Sequence, residues 1–229
     1  MFSPATQTER WSYFMENQDL GSSLASLIQR RGWWVPAKDQ VALDIILREV
    51  NDLAEILPLC KDYRRVVQAG GNVGIWPKAL SEKFRSVHTF EPDVDNYAAL
   101  IQNTAGIINI LRTRGGLGDC FDTGSMDHID PDNIGAHQIK DGNDFQIMPI
   151  DSFEYDDVDL IQLDIEGFEH FAVLGAEDTI DRCSPVICLE LKGLGKRYGV
   201  EDSETVDFLA GLGYKISKRI HRDVIFTRA

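Results

Sequence analysis

Val66-Val67-Gln68-Ala69-Gly70-Gly71-Asn72-Val73-Gly74-Ile75-Trp76 is the stretch that decides the fold. A short apolar run behind Arg64 and Arg65 reads as a buried parallel strand, and it breaks into a glycine-rich turn. Pro77 falls in the first turn of the next segment, where its missing N–H is tolerated. Trp76, Leu80 and Phe84 follow at i, i+4 spacing, which predicts a helix with one apolar stripe. Strand, glycine turn and helix begin a nucleotide-binding βαβ unit. Glycines admit close backbone approach, and a helix N-terminus offers unpaired N–H groups to an anion. A second apolar strand, Val87-His88-Thr89-Phe90, ends in Glu91-Pro92 about 20 residues after Gly70, where an acid can grip ribose hydroxyls.

The α/β order continues downstream. Tyr97, Leu100 and Ile101 suggest a crossover helix, and Ile107 to Arg112 a third strand. That strand ends in Arg114-Gly115-Gly116-Leu117-Gly118-Asp119, where a flat ring such as adenine can lie against the backbone. Between Cys120 and Asp159 the pattern breaks into loops or a hairpin, with a strand around Gln146 to Ile150. Val158 to Leu163 is a fourth buried strand running into Asp164-Ile165-Glu166-Gly167-Phe168-Glu169, and Pro185 to Leu191 is a fifth, carrying Glu190. Ser203 and Glu204 open a last helix through Leu212, followed by two closing strands, Lys215 to Ile220 and Asp223 to Thr227.

Upstream, the first sixty residues read as helical. Trp11, Phe14 and Met15 mark one short face, and Leu20, Leu24, Leu27 and Ile28 a second that ends at Arg30-Arg31-Gly32. A non-helical connector carries Trp33 and Trp34, either packing anchors or part of a lid. A longer helix then runs from Gln40 to Leu57, stopped by Pro58. The division is thus a helical extension over 1–60 packing on a catalytic domain over 61–229.

Composition narrows the partners. With 43% hydrophobic and 26% charged residues, the 229-residue chain has the balance of an ordinary soluble protein. No apolar run approaches the ~20 residues that span a bilayer, and no basic start with an apolar core opens the chain, so no membrane partner and a cytoplasmic location are expected. A net charge of −14 without a basic stripe argues against a nucleic-acid partner. Eleven aspartates lie between Asp119 and Asp159, with Lys140 the only lysine or arginine there. Asp130-Pro131-Asp132-Asn133-Ile134-Gly135 lacks the later oxygen ligands of a calcium loop. Cys60, Cys120, Cys183 and Cys188 form no C-x-x-C pair, and the histidines no H-x-x-x-H, so no metal site is assigned; His137 and His170 read as surface residues.

Four segments, in order, resemble the FkbM-type methyltransferases. Gln68 to Gly74 is similar to that family's donor loop, with Gln68 where an acid usually stands. Phe90-Glu91-Pro92 is similar to its ribose-binding strand end, Leu163 to Glu169 to its Asp-x-Glu-Gly signature, and Leu189-Glu190 with Leu212-Gly213-Tyr214 to its C-terminal pattern. The resemblance implies a Rossmann-like methyltransferase three-layer sandwich whose mostly parallel sheet ends in an antiparallel strand. It also implies S-adenosylmethionine as cofactor. Gln68, Ala69, Gly70, Gly71, Asn72, Gly74, Glu91, Pro92, Gly116, Leu117 and Asp164 are the candidate cofactor-binding residues, and Asp164, Glu166 and Glu190 the candidate catalytic ones. A small-molecule or glycan hydroxyl is the acceptor class implied.

Asp164 and Glu190 at strand ends can position and deprotonate a hydroxyl, or jointly hold a divalent cation. Asp164 can instead cap the next helix, Glu166 and Glu169 favour its dipole, and Glu190 pair with Lys192 or Arg197. Two other functions fit parts of the pattern. An NAD-dependent Rossmann oxidoreductase shares the glycine loop and Glu91, and a non-catalytic interaction module would retain the fold alone.

Overall fold

A computed structural model describes residues 26–130 and 132–228. The first element of the described residues is not helical. Strands β1 (Leu27–Arg30) and β2 (Trp33–Pro36) form an antiparallel hairpin. Arg31 and Gly32 between them take φ of 50° and 81°, two consecutive left-handed residues as a two-residue hairpin turn requires. The helical reading of Leu27 and Ile28 is therefore corrected; Trp11, Phe14, Met15, Leu20 and Leu24 lie outside the described residues. Asn103 holds Trp34 from both sides, accepting from its N–H at 2.8 Å and donating to its carbonyl at 2.7 Å. Trp33 packs against the Val35, Leu43 and Val73 cluster, whereas the Trp34 side chain is exposed. The helix expected over Gln40 to Leu57 is broken into α1 (Ala42–Glu49) and α2 (Leu53–Ile56), with 3-10 turns after each.

The rest follows the βα order of the sequence. The elements are β3 (Arg65–Ala69), α3 (Ile75–Ser81), β4 (Ser86–Phe90), α4 (Val94–Asn103) and β5 (Ile110–Thr113). The insertion then forms β6 (Gly116–Leu117), β7 (Asp122–His128), β8 (His137–Asp141) and β9 (Phe145–Met148). The main chain path resumes with β10 (Val158–Leu163), α5 (Glu169–Leu174), α6 (Glu177–Cys183) and β11 (Val186–Glu190). It closes with α7 (Asp202–Gly211), β12 (Tyr214–Ile220) and β13 (Asp223–Arg228). A Glu201–Glu204 capping box, rather than Ser203, starts α7.

Seven strands make the main sheet in the order β12-β13-β11-β10-β3-β4-β5. β11, β10, β3, β4 and β5 are parallel, and β13 runs antiparallel to β11. Period-two alternation divides β3 between two cores. Val66 packs with Leu53, Ile56, Trp76 and Leu80 on one face, while Val67 and Ala69 pack with Val173, Ile180 and Leu209 on the other. Helices cover both faces, giving three layers. Ion pairs fix the register at the strand starts: Arg64 meets Asp159 at 2.6 Å and Arg65 meets Asp157 at 2.6 Å. The strand order reverses between β3 and β10, and the carboxyl ends there leave a crevice. No helix of the described residues is long and apolar enough to cross a membrane.

Gly70 closes that crevice from below. At φ 82° it is left-handed, and a Cβ there would lie 2.0 Å from the Asp164 carbonyl oxygen. Gly70→Ala is therefore expected to lower stability by at least about 1–2 kcal/mol, the cost of a left-handed L-residue before the clash is relieved. Urea unfolding measures it, and an unchanged midpoint would show that the two strand ends are not held this close.

Candidate active site

The crevice is a cleft with two chemically distinct ends. At one end, the loop after β3 turns through Gly70, Gly71 and Asn72 and meets Glu91 at the end of β4. Glu91 is buried, and its carboxylate accepts from the Asn72 N–H at 2.6 Å and the Asp93 N–H at 2.9 Å. Burial above all, then repulsion from Asp93, pushes its pKa up to about 8 against the pull of those two donors. Pro92, Asn96, Gly116 and Leu117 complete this end with the loop after β7, whose Ile134 carbonyl accepts from Asn72 at 3.1 Å and Asn96 at 3.0 Å.

The other end is acidic. Asp164, Glu166 and Glu190 bring carboxylate oxygens within 4.8 Å of one another, and Glu49 and Arg222 join them in the cleft wall. Lys192 enters this cluster, pairing with Glu166 at 3.0 Å and with Glu190. Burial and the neighbouring Glu190, with which it shares a hydrogen bond, drive the Asp164 pKa well above the carboxylate range. Burial likewise raises Glu166, against the attraction of Lys192, and raises Glu49 with help from Glu190. Asp223 beside them is pushed up to about 7 by burial and Glu190. Lys192 is raised by the surrounding carboxylates, in spite of its burial, and stays charged.

The structure brings together most of the residues singled out in the sequence. Ala69, Gly70, Gly71, Asn72, Glu91, Pro92, Gly116, Leu117, Asp164, Glu166 and Glu190 all line one cleft. Gln68 and Gly74 do not line it. The Gln68 amide is buried inside the sheet, accepting from the Thr89 hydroxyl and donating to the Ala69 carbonyl at 3.1 Å. The expectation of a direct Gln68 contact is revised accordingly: on a parallel strand its side chain shares the face of Val66. Gly74, at φ 92°, precedes α3, and a Cβ there would crowd Thr104 at 3.1 Å, so its place is in helix packing. Asp164 does not cap α5, whose N-terminus has no side-chain cap; Glu169 instead accepts from the Ile165 N–H at 2.8 Å. His137 is buried, against the surface position expected of it. Sequence reasoning missed Glu49, which sits on α1 in the supposed extension, and the loop carrying Ile134; neither carries a motif.

A parallel sheet of this order with a glycine turn and an acid at its switch point defines a Rossmann-like methyltransferase. The methyltransferase FkbM domain matches residues 68–216, more than half of the chain, so the chain belongs to that family of S-adenosylmethionine-dependent enzymes. The NAD-dependent reading loses its support. No curated protein matches the sequence significantly. Among solved structures, methyltransferase FkbM from Methylobacillus flagellatus KT is 19% identical, with TM-score 0.49 over 76% of this chain and 50% of that one. This chain thus spans half the length of that relative. An rRNA methylase from Streptococcus thermophilus is 14% identical, with TM-score 0.46 over 80% and 95% of the two chains. A SAM-dependent methyltransferase from Aquifex aeolicus is 10% identical, with TM-score 0.46 over 79% and 90%. Likeness at this level carries no acceptor from one protein to another.

The residues present fit S-adenosylmethionine. Asn96 Oδ1 is buried in the cleft wall without a hydrogen-bond partner, an open acceptor for an adenine amino group. Glu91 retains lone pairs for ribose hydroxyls beyond its two backbone bonds, and the acidic end suits the cationic sulfonium and ammonium.

Proposed function

We propose that the chain is an O-methyltransferase whose acceptor is a hydroxyl on a sugar, glycan or small metabolite. The observation that carries this reading is the pair Asp164 and Glu190, which end adjacent parallel strands and open on the same cleft as Glu91. S-adenosylmethionine, when bound, supplies an electrophilic methyl group, so the chain's own work is alignment and proton management. Lys192 pairs with Glu190, and burial beside Glu190 raises Asp164 so that it holds its proton in the empty cleft. Glu190 then accepts the acceptor's hydroxyl proton while Asp164 orients it. The pair's hold on its proton weakens beside a cation, so it ionises fully only in the loaded cleft. The Lys192 ammonium already bridges Glu166 and Glu190, which favours catalysis without a metal there.

The purified chain, given a donor with a labelled methyl group, should label hydroxylated acceptors through an alkali-stable ether. Label confined to amines or RNA would overturn the O-methyl reading. Donor binding by calorimetry with no label in any acceptor class would favour the non-catalytic module.

A further inference from the structure

Away from the acidic cluster, a second group of metal-ligating side chains joins the insertion hairpin to the main domain. Asp93 precedes α4, and its Oδ1 caps that helix by accepting from the N–H groups of Asp95 and Asn96, each at 2.9 Å. That leaves Oδ2 free to face the hairpin. Two histidines approach it, His128 Nε2 at 2.7 Å and His137 Nδ1 at 3.2 Å. The two are cross-strand partners, the last residue of β7 opposite the first of β8, and their ring centroids are 4.2 Å apart. One ligand atom from each of the three residues falls within 4.8 Å of the others.

His137 is the observation that a structural role leaves unexplained. Its side chain is only 3% exposed, yet neither ring nitrogen makes an aligned hydrogen bond, and the Nδ1 approach to Asp93 is off line. A buried imidazole with both nitrogens unmatched is costly unless something binds them. A metal ion satisfies Nδ1 without requiring it to point at the carboxylate. The His137 separation of 3.2 Å is near the ~3.3 Å edge of a tetrahedron with bonds of about 2.0 Å, and the exposed His128, at 2.7 Å, would move out by about half an ångström to meet it. His128 is 45% exposed, so the ion has a route in and a solvent-facing coordination position.

We propose that Asp93, His128 and His137 bind one divalent transition-metal ion, with two imidazoles and one carboxylate as ligands. That donor set favours zinc and its neighbours over magnesium or calcium. The ion would fasten the β7–β8 hairpin to the start of α4. The loop of that hairpin carries Ile134, whose carbonyl is held by both Asn72 and Asn96, so the clamp also fixes one wall of the donor cleft.

The test is zinc binding by the full chain after chelator treatment and dialysis, followed by calorimetry with Zn²⁺ and by the visible spectrum with Co²⁺. One equivalent is expected, with a raised Tm in the loaded chain. His128→Ala and His137→Ala should each weaken zinc binding by at least about 100-fold, while Asp164→Asn leaves one equivalent in place. His128 is exposed, so its variant should fold even if the His137 variant does not. The proposal is overturned if the wild-type chain takes up no zinc, if His128→Ala binds as well as wild type, or if binding is lost instead with Cys120→Ser.

Discussion

Replacing Glu91 with alanine is expected to weaken S-adenosylmethionine binding by about 10²–10⁴-fold. Two hydrogen bonds from ribose hydroxyls to a charged acceptor are worth about 1.5–3 kcal/mol each, and both go with the carboxylate. The same side chain holds the Asn72 and Asp93 N–H groups, so the loop loses its anchor as well. A second measurement separates these effects. With its pKa pushed up to about 8, Glu91 carries a proton below that pH in the unliganded chain, and binding must displace it. Donor affinity should therefore rise as pH increases from 6 to 8 and level off above, by up to tenfold per unit. Glu91→Gln keeps one acceptor and the loop shape, and should flatten that slope. Calorimetry across the range reads both. An affinity in Glu91→Ala equal to wild type would remove the ribose assignment.

How much of this was legible in the sequence depends on the kind of strand. β3, β4, β10 and β11 are buried on both faces, so they appear as continuous apolar runs, and their polar terminators Glu91, Asp164 and Glu190 stand out at the site. The hairpin β1–β2 was missed because Leu27 and Ile28 fit a helical stripe as well as a strand, while Pro36 marks Trp33–Pro36 only as non-helical. Only the left-handed pair Arg31-Gly32 separates the two, and the sequence names one glycine there. β7 and β8 carry Asp, Ser, Gln and Lys and are at most half-buried over most of their length, so the sequence leaves loops or a hairpin open, and the structure forms the hairpin. The contacts that give the site its character are non-local. A Glu190 pairing with Lys192 or Arg197 is legible in the sequence, but Lys192 bridging Glu190 to Glu166 depends on two strands meeting. Gln68 was read by motif position, whereas strand alternation had already turned it into the sheet toward Thr89.

Asp164→Asn and Glu190→Gln are each expected to lower turnover by about 10²–10⁴-fold, the span of general acid–base catalysis. The two half-buried side chains are hydrogen-bonded to each other, so removing either charge changes the partner as well. In Asp164→Asn, the amide still donates to Glu190 but can no longer ionise when the cleft is loaded. In Glu190→Gln, the proton acceptor itself is neutral, and Lys192 is left with Glu166 alone as its close partner. Donor affinity should shift by less than about tenfold in either variant, because amides keep the shape of the wall and Glu91 is untouched. Combining the two substitutions should cost little more than the worse single one, as expected of groups acting as a unit. Lys192→Met adds a third arm: Glu190 and Glu166 would both lose the ammonium that pairs them, and turnover should fall. Because Lys192 already bridges Glu166 and Glu190, added Mg²⁺ should not raise wild-type turnover. Single-turnover rates with a labelled donor, measured from pH 6 to 9, test all of these together. Full turnover in both amide variants would reduce the pair to an ion-pair network around Lys192 and move the proton acceptor to the neighbouring Glu49 or Asp223.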